Sequence, residues 1–216
     1  MRRTISATLT VAALALALPA LAQALTIQIA NGGVVSPPSC PASPCVVVSR
    51  TTAVQVKDGS DNGPFVVKQS GRIVSWSVTL GVPSASQIHY FDTHEGGTAR
   101  ASLAVLRDVD GLEYKLVALS PVVHLEPDFG TTARLKLPAS IPVIKGDVIA
   151  LSVPTWLPAL ALNYPTSTSW RASRGPARCT DVAVQTMQIS IGSSAGYDCL
   201  YQTALVTYSA TEATAG

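Results

Sequence analysis

Apolar and polar side chains alternate along much of the chain beyond residue 24. In residues 72–80, Val74, Trp76, Val78 and Leu80 fall on one face, and Ser75, Ser77 and Thr79 on the other. In residues 132–137, Ala133, Leu135 and Leu137 oppose Thr132, Arg134 and Lys136. In residues 186–191, Met187, Ile189 and Ile191 oppose Thr186, Gln188 and Ser190. A period of two is the signature of a half-buried strand with one face on a core and one in water. The same reading predicts strands over residues 26–30, 46–50, 53–57, 65–68, 99–107, 113–119, 147–153, 159–163 and 201–208. Turn formers punctuate them, among them Asp58-Gly59, Gly96-Gly97 and Asp110-Gly111, the last reading as a hairpin. No stretch holds a helical period over a helix-length window, and one short helix or turn is expected near residues 84–87. The expectation is an all-β fold, a two-sheet antiparallel β-sandwich with jelly-roll-like topology. Residues 25–216 read as a single domain.

Residues 1–24 follow a different pattern. Arg2 and Arg3 precede an apolar run, which ends at Ala22-Gln23-Ala24. Basic, then apolar, then small is the order of a secretory signal peptide, with cleavage expected after Ala24 or two residues earlier. The run is too short for a membrane span, so no transmembrane anchor is expected in the mature chain. The first cysteine is Cys40, too far along for a lipoprotein anchor.

Charge changes the picture once this segment is set aside. Of the 15 basic side chains, two lie in it, leaving 13 to balance 13 acidic ones. A neutral mature chain has no electrostatic footprint for nucleic acid or an anionic membrane. A 13% charged, 47% hydrophobic composition also excludes a disordered protein. Export makes disulfides plausible. Four cysteines allow three pairings. The prolines of Cys40-Pro41-Ala42-Ser43-Pro44-Cys45 pre-bend that segment, favouring Cys40–Cys45 and Cys179–Cys199. Metal binding by these cysteines is disfavoured, since no C-x-x-C pair is present and no histidine lies near.

Three clusters could carry chemistry. Residues 89–95 hold two histidines and two carboxylates; read as a strand, they put Asp92 and His94 on one face, with His124 as a third metal ligand. The competing reading is a solvated strand end before the Gly96-Gly97 turn. Gly192-Ser193-Ser194-Ala195-Gly196 matches G-x-S-x-G, but strands flank it where the nucleophile motif needs a helix, so it reads as a turn. Trp170, Arg171 and Arg174 form a basic, aromatic patch suited to a sugar or an anion, against the plainer reading of a solvated strand end. Asp92, Glu95, Glu113, Glu126 and Asp128 are the carboxylates that glycoside chemistry would have to bring together. No cofactor fingerprint is present. The apolar run 149–162, interrupted by Pro154 and Pro158, suggests a loop around Trp156 and Leu157 folded down on the core.

Residues 141–151, IPVIKGDVIAL, with Ser169-Trp170-Arg171-Ala172-Ser173 downstream and Gly71-Arg72-Ile73-Val74-Ser75-Trp76 upstream, resemble an uncharacterised group of bacterial exported β-sandwich proteins. The resemblance covers roughly residues 65–173. It implies a lysine-glycine-aspartate turn leading into a core strand of a jelly-roll-like sheet, and it implies no activity. The expected protein is a secreted binding or surface-interaction module for an extracellular or cell-surface ligand, carbohydrate being one class. The alternatives are a secreted glycoside-type hydrolase and a structural envelope component.

Overall fold

Strands dominate the computed structural model, which describes residues 25–214; the signal-peptide reading of residues 1–24 lies outside them. Fifteen strands form among the described residues. They are β1 (Leu25–Ala30), β2 (Val48–Asp58), β3 (Asp61–Asn62), β4 (Gly71–Thr79), β5 (Arg100–Asp110), β6 (Glu113–Leu119), β7 (Val123–His124) and β8 (Thr132–Val143). After them come β9 (Val148–Leu157), β10 (Leu160–Leu162), β11 (Ser169–Ala172), β12 (Ser194–Gly196), β13 (Cys199–Gln202), β14 (Ala204–Val206) and β15 (Tyr208–Thr214). Among the described residues one α-helix, α1 (Ala85–His94), interrupts the series.

The strands pair antiparallel into a four-stranded sheet, β1-β15-β4-β8, and a large one, β12-β6-β5-β9-β2-β11-β13. In the large sheet β3 and β7 add to the flanks of β2 and β5, and β10 and β14 form a separate pair. Neighbours in the small sheet come from both ends of the chain, as a sandwich with long crossovers requires. This is the expected all-β antiparallel sandwich.

The main core lies between the sheets. Ile73, Trp76, Val78, Tyr208 and Ala210 of the small sheet meet Ala53, Leu103, Val105, Ile149 and Leu151 of the large one. Trp76 keeps 2% of its surface exposed. Phe65 and Tyr208 stack inside, ring centroids 4.1 Å apart. Side chains alternate across a strand, so the intervening Val54, Ala104, Leu106, Val148 and Ala150 form a second cluster on the far face of the large sheet.

That far face is covered. Residues 173–198 cross it as a strap, irregular but for a 3-10 turn (Pro176–Arg178) and β12. Tyr197 joins the second cluster and donates its hydroxyl to Gln188 Oε1 at 2.6 Å. The Gln188 backbone N–H donates to Thr52 Oγ1 at 3.1 Å, and Thr52 in turn bonds Ser152 at 2.8 Å. A disulfide between Cys179 and Cys199 ties the strap to β13, and Cys40 pairs with Cys45, the two expected links.

Several expectations need correction. Residues 186–191 belong to the strap, not to a strand, and their alternation fails after Met187: Met187 is buried as expected, but so is Gln188, while Ile189 and Ile191 are 67% and 68% exposed. The glutamine goes inside because its side-chain amide donates to Tyr114 O and Ser193 O and accepts from the Tyr197 hydroxyl. Residues 46–50 and 53–57 run into one strand, β2, because the β-branched Thr51 and Thr52 continue it. Arg50, at φ 49°, takes up the bulge there. The same bulge on β9 spans Pro154, where the ladder is interrupted and proline loses nothing. So Trp156 and Leu157 reach the core at the end of a strand rather than in a loop. Residues 65–68 make only one bridge, Val66 to Val148, though Phe65 and Val67 are fully buried. Residues 201–208 split into three strands, with Thr203 at φ 61° between the first two. A bulge at residues 73–75 moves Val74 off the inner face and puts Ile73 there.

The last correction is α1. Ser84 caps it, accepting from the Gln87 amide, while the Gln87 side chain returns a bond to Ser84 N. The helix then continues to His94 through the stretch read as a strand. It buries no side chain fully, which is why no strong helical period marks it. No helix among the described residues is long and apolar enough to cross a membrane.

Candidate functional site

Among the described residues, the outer face of the small sheet is left half-exposed. Register lays its side chains out in rows. Ser77 of β4 stands between Ser209 of β15 and Arg134 of β8. One row on, Ser75 stands between Thr211 and Lys136, and Gln28 of β1 is opposite Thr211. At the other end, Thr79 faces Thr132. The rows exist because each hydroxyl sits one residue from a core residue, and alternation turns it outward.

The hydroxyls pair across the strands. Ser77 and Ser209 lie 2.8 Å apart, Thr79 and Thr132 2.9 Å, and Gln28 Nε2 donates to Thr211 Oγ1 at 2.8 Å. A hollow of about 380 Å³ opens above them, lined by Gln28, Ser75, Ser77, Arg134, Ser209 and Thr211, with Trp76 at its floor. It shares Ser77 and Ser209 with a second hollow of about 200 Å³, where Asn31 sits. It shares Ser75 and Arg134 with a third of about 330 Å³ beside Lys136. Asn31 donates its amide to Val206 O at 3.2 Å, but its Oδ1 has no protein partner.

Below this face the sheet carries one carboxyl. Glu212 points inward from β15, 1% exposed, and its Oε1 has no hydrogen-bond partner. Burial pushes its pKa up from the ordinary carboxyl value. Gly71 makes room for it: a Cβ there would lie 2.5 Å from Glu212 Oε1.

The residues singled out from the sequence lie elsewhere. Trp170 is on β11, between β2 and β13, with 5% of its surface exposed and its ring stacked on Tyr201 at 4.4 Å. Its face is taken, so it offers no stacking platform. Arg171 donates to Tyr197 O and Asp198 O at 2.9 and 3.1 Å. Arg174, 3% exposed, donates to Ser49 O at 2.6 Å and to Tyr201 Oη at 3.0 Å. The expected ligand patch is thus core and strap anchorage.

Asp92 and His94 sit on α1, where residues two apart face different ways. Asp92 accepts a hydrogen bond from Trp156 Nε1 at 3.0 Å. His94 stacks on Tyr90, and His124 lies on β7, 3.3 Å from Glu126. Among the described residues no three His, Cys, Asp or Glu side chains gather as a metal site would need. Ser194 is exposed on the edge strand β12 and paired to Lys115, with no helix following. Of the carboxylates considered for glycoside chemistry, Glu95 accepts from the Ser49 hydroxyl and Glu126 from the Ala99 amide. Glu113 starts β6, beyond the hairpin.

The polar half of the small sheet was visible in the sequence as the wet side of the alternation in residues 72–80 and 132–137. Its meeting with β15 and β1 was not, because pairing between distant strands leaves no local signal. No protein-family model matches this chain, and no curated protein or solved structure matches it.

Proposed function

We propose that the protein is exported and acts as a binding module, holding a hydroxyl-rich ligand of the carbohydrate class on the outer face of its small sheet. One observation carries the reading: Ser, Thr and Gln side chains, paired across the strands, line a shallow, half-exposed hollow. Hydroxyls both donate and accept, so a rank of them can exchange bonds with the hydroxyls of a sugar. The order of residues 1–24 and the two disulfides support export, and the likeness to exported bacterial β-sandwich proteins belongs to the same reading.

The test is retention on immobilised polysaccharides, comparing wild type with Ser77→Ala/Ser209→Ala. Retention of the wild type, lost in the double variant while the unfolding midpoint holds, supports the proposal. Failure of the wild type to bind any glycan, or equal binding by both proteins, overturns it.

A further inference from the structure

The four strands of the small sheet differ in charge from the balanced chain. They carry Arg72, Arg134 and Lys136, and their single carboxylate, Glu212, is turned into the core. Two of the cations border the hollows. Arg134 lines both the 380 Å³ and the 330 Å³ hollow, and Lys136 lines the latter. They alternate with the core-facing Ala133 and Leu137 of β8, so both project outward, roughly 7 Å apart at the spacing of alternate strand residues. Neither makes an ion pair among the described residues. Arg72, farther along, bonds Ser140 through Nε at 2.7 Å and stays exposed.

We infer that the ligand of this face is an acidic polysaccharide, a polymer of uronic acid. The inference rests on the carbohydrate reading above and adds its charge. The hydroxyl rows would meet sugar hydroxyls, and the β8 cations would meet successive carboxylates along one edge of the hollow. Arg134 can take a carboxylate bidentately, and Lys136 supplies a point charge beside it. The absence of an outward carboxylate on these strands removes the repulsion that such a polymer would otherwise meet.

The probes are oligogalacturonate and the same oligomer with its carboxyls methyl-esterified, titrated calorimetrically against the protein. The free acid binds at least tenfold more tightly than the ester, and the gap narrows as salt rises through the physiological range. Arg134→Gln/Lys136→Gln abolishes the preference and keeps the wild-type unfolding midpoint. Equal affinity for acid and ester overturns the charge assignment and leaves the carbohydrate reading standing. Binding of neither oligomer, with other glycans retained, does the same. No binding to any glycan overturns both. Equal binding of a single-stranded oligonucleotide overturns it in favour of a general anion surface.

Discussion

The two sheets use the same residue types in opposite ways. On the small sheet Ser75, Ser77, Ser209 and Thr211 stand half-exposed at a hollow, with Ser77 bonded to Ser209 and Thr211 to Gln28. On the far face of the large sheet Thr52 and Ser152 are fully buried, Thr52 accepting from the Gln188 backbone N–H of the strap and bonding Ser152. Local sequence does not separate these cases, since each set alternates with core residues. What separates them is the strap, which brings Gln188 and Tyr197 to satisfy and shield one face, while the hydroxyls of the other stand half-exposed. A buried hydroxyl serves the fold, and a bare one is free to serve recognition.

The sharpest test of the contrast substitutes one residue on each side. Tyr197→Ala removes a fully buried ring and strips Gln188 of a partner, so it costs about 3–5 kcal/mol, in the range for deleting a large buried aromatic. Thr211→Ala on the bare face costs within about 0.5 kcal/mol. Denaturant unfolding of both measures the gap. A Tyr197→Ala cost below about 1 kcal/mol would mean that the strap does not hold the far face.

The second test loosens the cover. Cys179→Ser/Cys199→Ser opens a crosslink with a sequence separation of 20, worth about 3 kcal/mol in the chain-entropy model. Hydrogen exchange sharpens the result: amides of Thr186 and Gln188, bonded to Arg50 O and Thr52 Oγ1, gain exchange rate more than those of β4 and β15. Uniform acceleration across both sheets would show that strap and sandwich open together.

These two regions also mark how far the sequence could be read. The alternation around Trp76 placed β4, its buried face from residue 76 onward and its polar face correctly, because one side meets the core and the other meets water. In residues 186–191 the same alternation placed Met187 inside correctly but failed at Gln188, Ile189 and Ile191. There Ile189 and Ile191 are exposed, since Gln188 finds partners inside that no neighbouring residue announces. Trp170 and Arg174 misled for a related reason: an indole and a guanidinium look like a ligand patch until Tyr201 and Ser49 O are known to occupy them. The capping box at Ser84 and Gln87 was a legible helix start. The helix beyond it was not, because its two half-buried apolar side chains, Ile88 and Phe91, make too narrow a stripe.

A third, smaller effect probes the polar network under the strap. Gln188→Leu keeps the bulk but removes the acceptor for Tyr197 Oη and the donors to Tyr114 O and Ser193 O. Leaving buried polar groups unpaired costs about 1–3 kcal/mol. Thermal unfolding reads it, and an unchanged midpoint would mean that water replaces the glutamine there.

The smallest effect concerns the one side chain of the small sheet that breaks its own pattern. Glu212 lies on the apolar side of β15, paired across to Ile27 and Ile73, with one oxygen unpartnered. Burial favours its neutral form, so the folded state holds this proton to a higher pH than the unfolded chain does. Between the unfolded and the folded pKa, the native state binds more protons than the unfolded state, and stability falls as pH rises. Above the folded pKa the loss is complete and the contribution levels off. Glu212→Gln keeps the shape without the charge, so it is more stable than wild type at neutral pH. Its advantage shrinks as the pH is lowered through that window. Unfolding midpoints across the acidic and neutral range measure it directly. A variant whose difference from wild type does not change with pH would show that the carboxyl is solvated in the folded state, and that the inner face of the small sheet is wetter than its packing indicates.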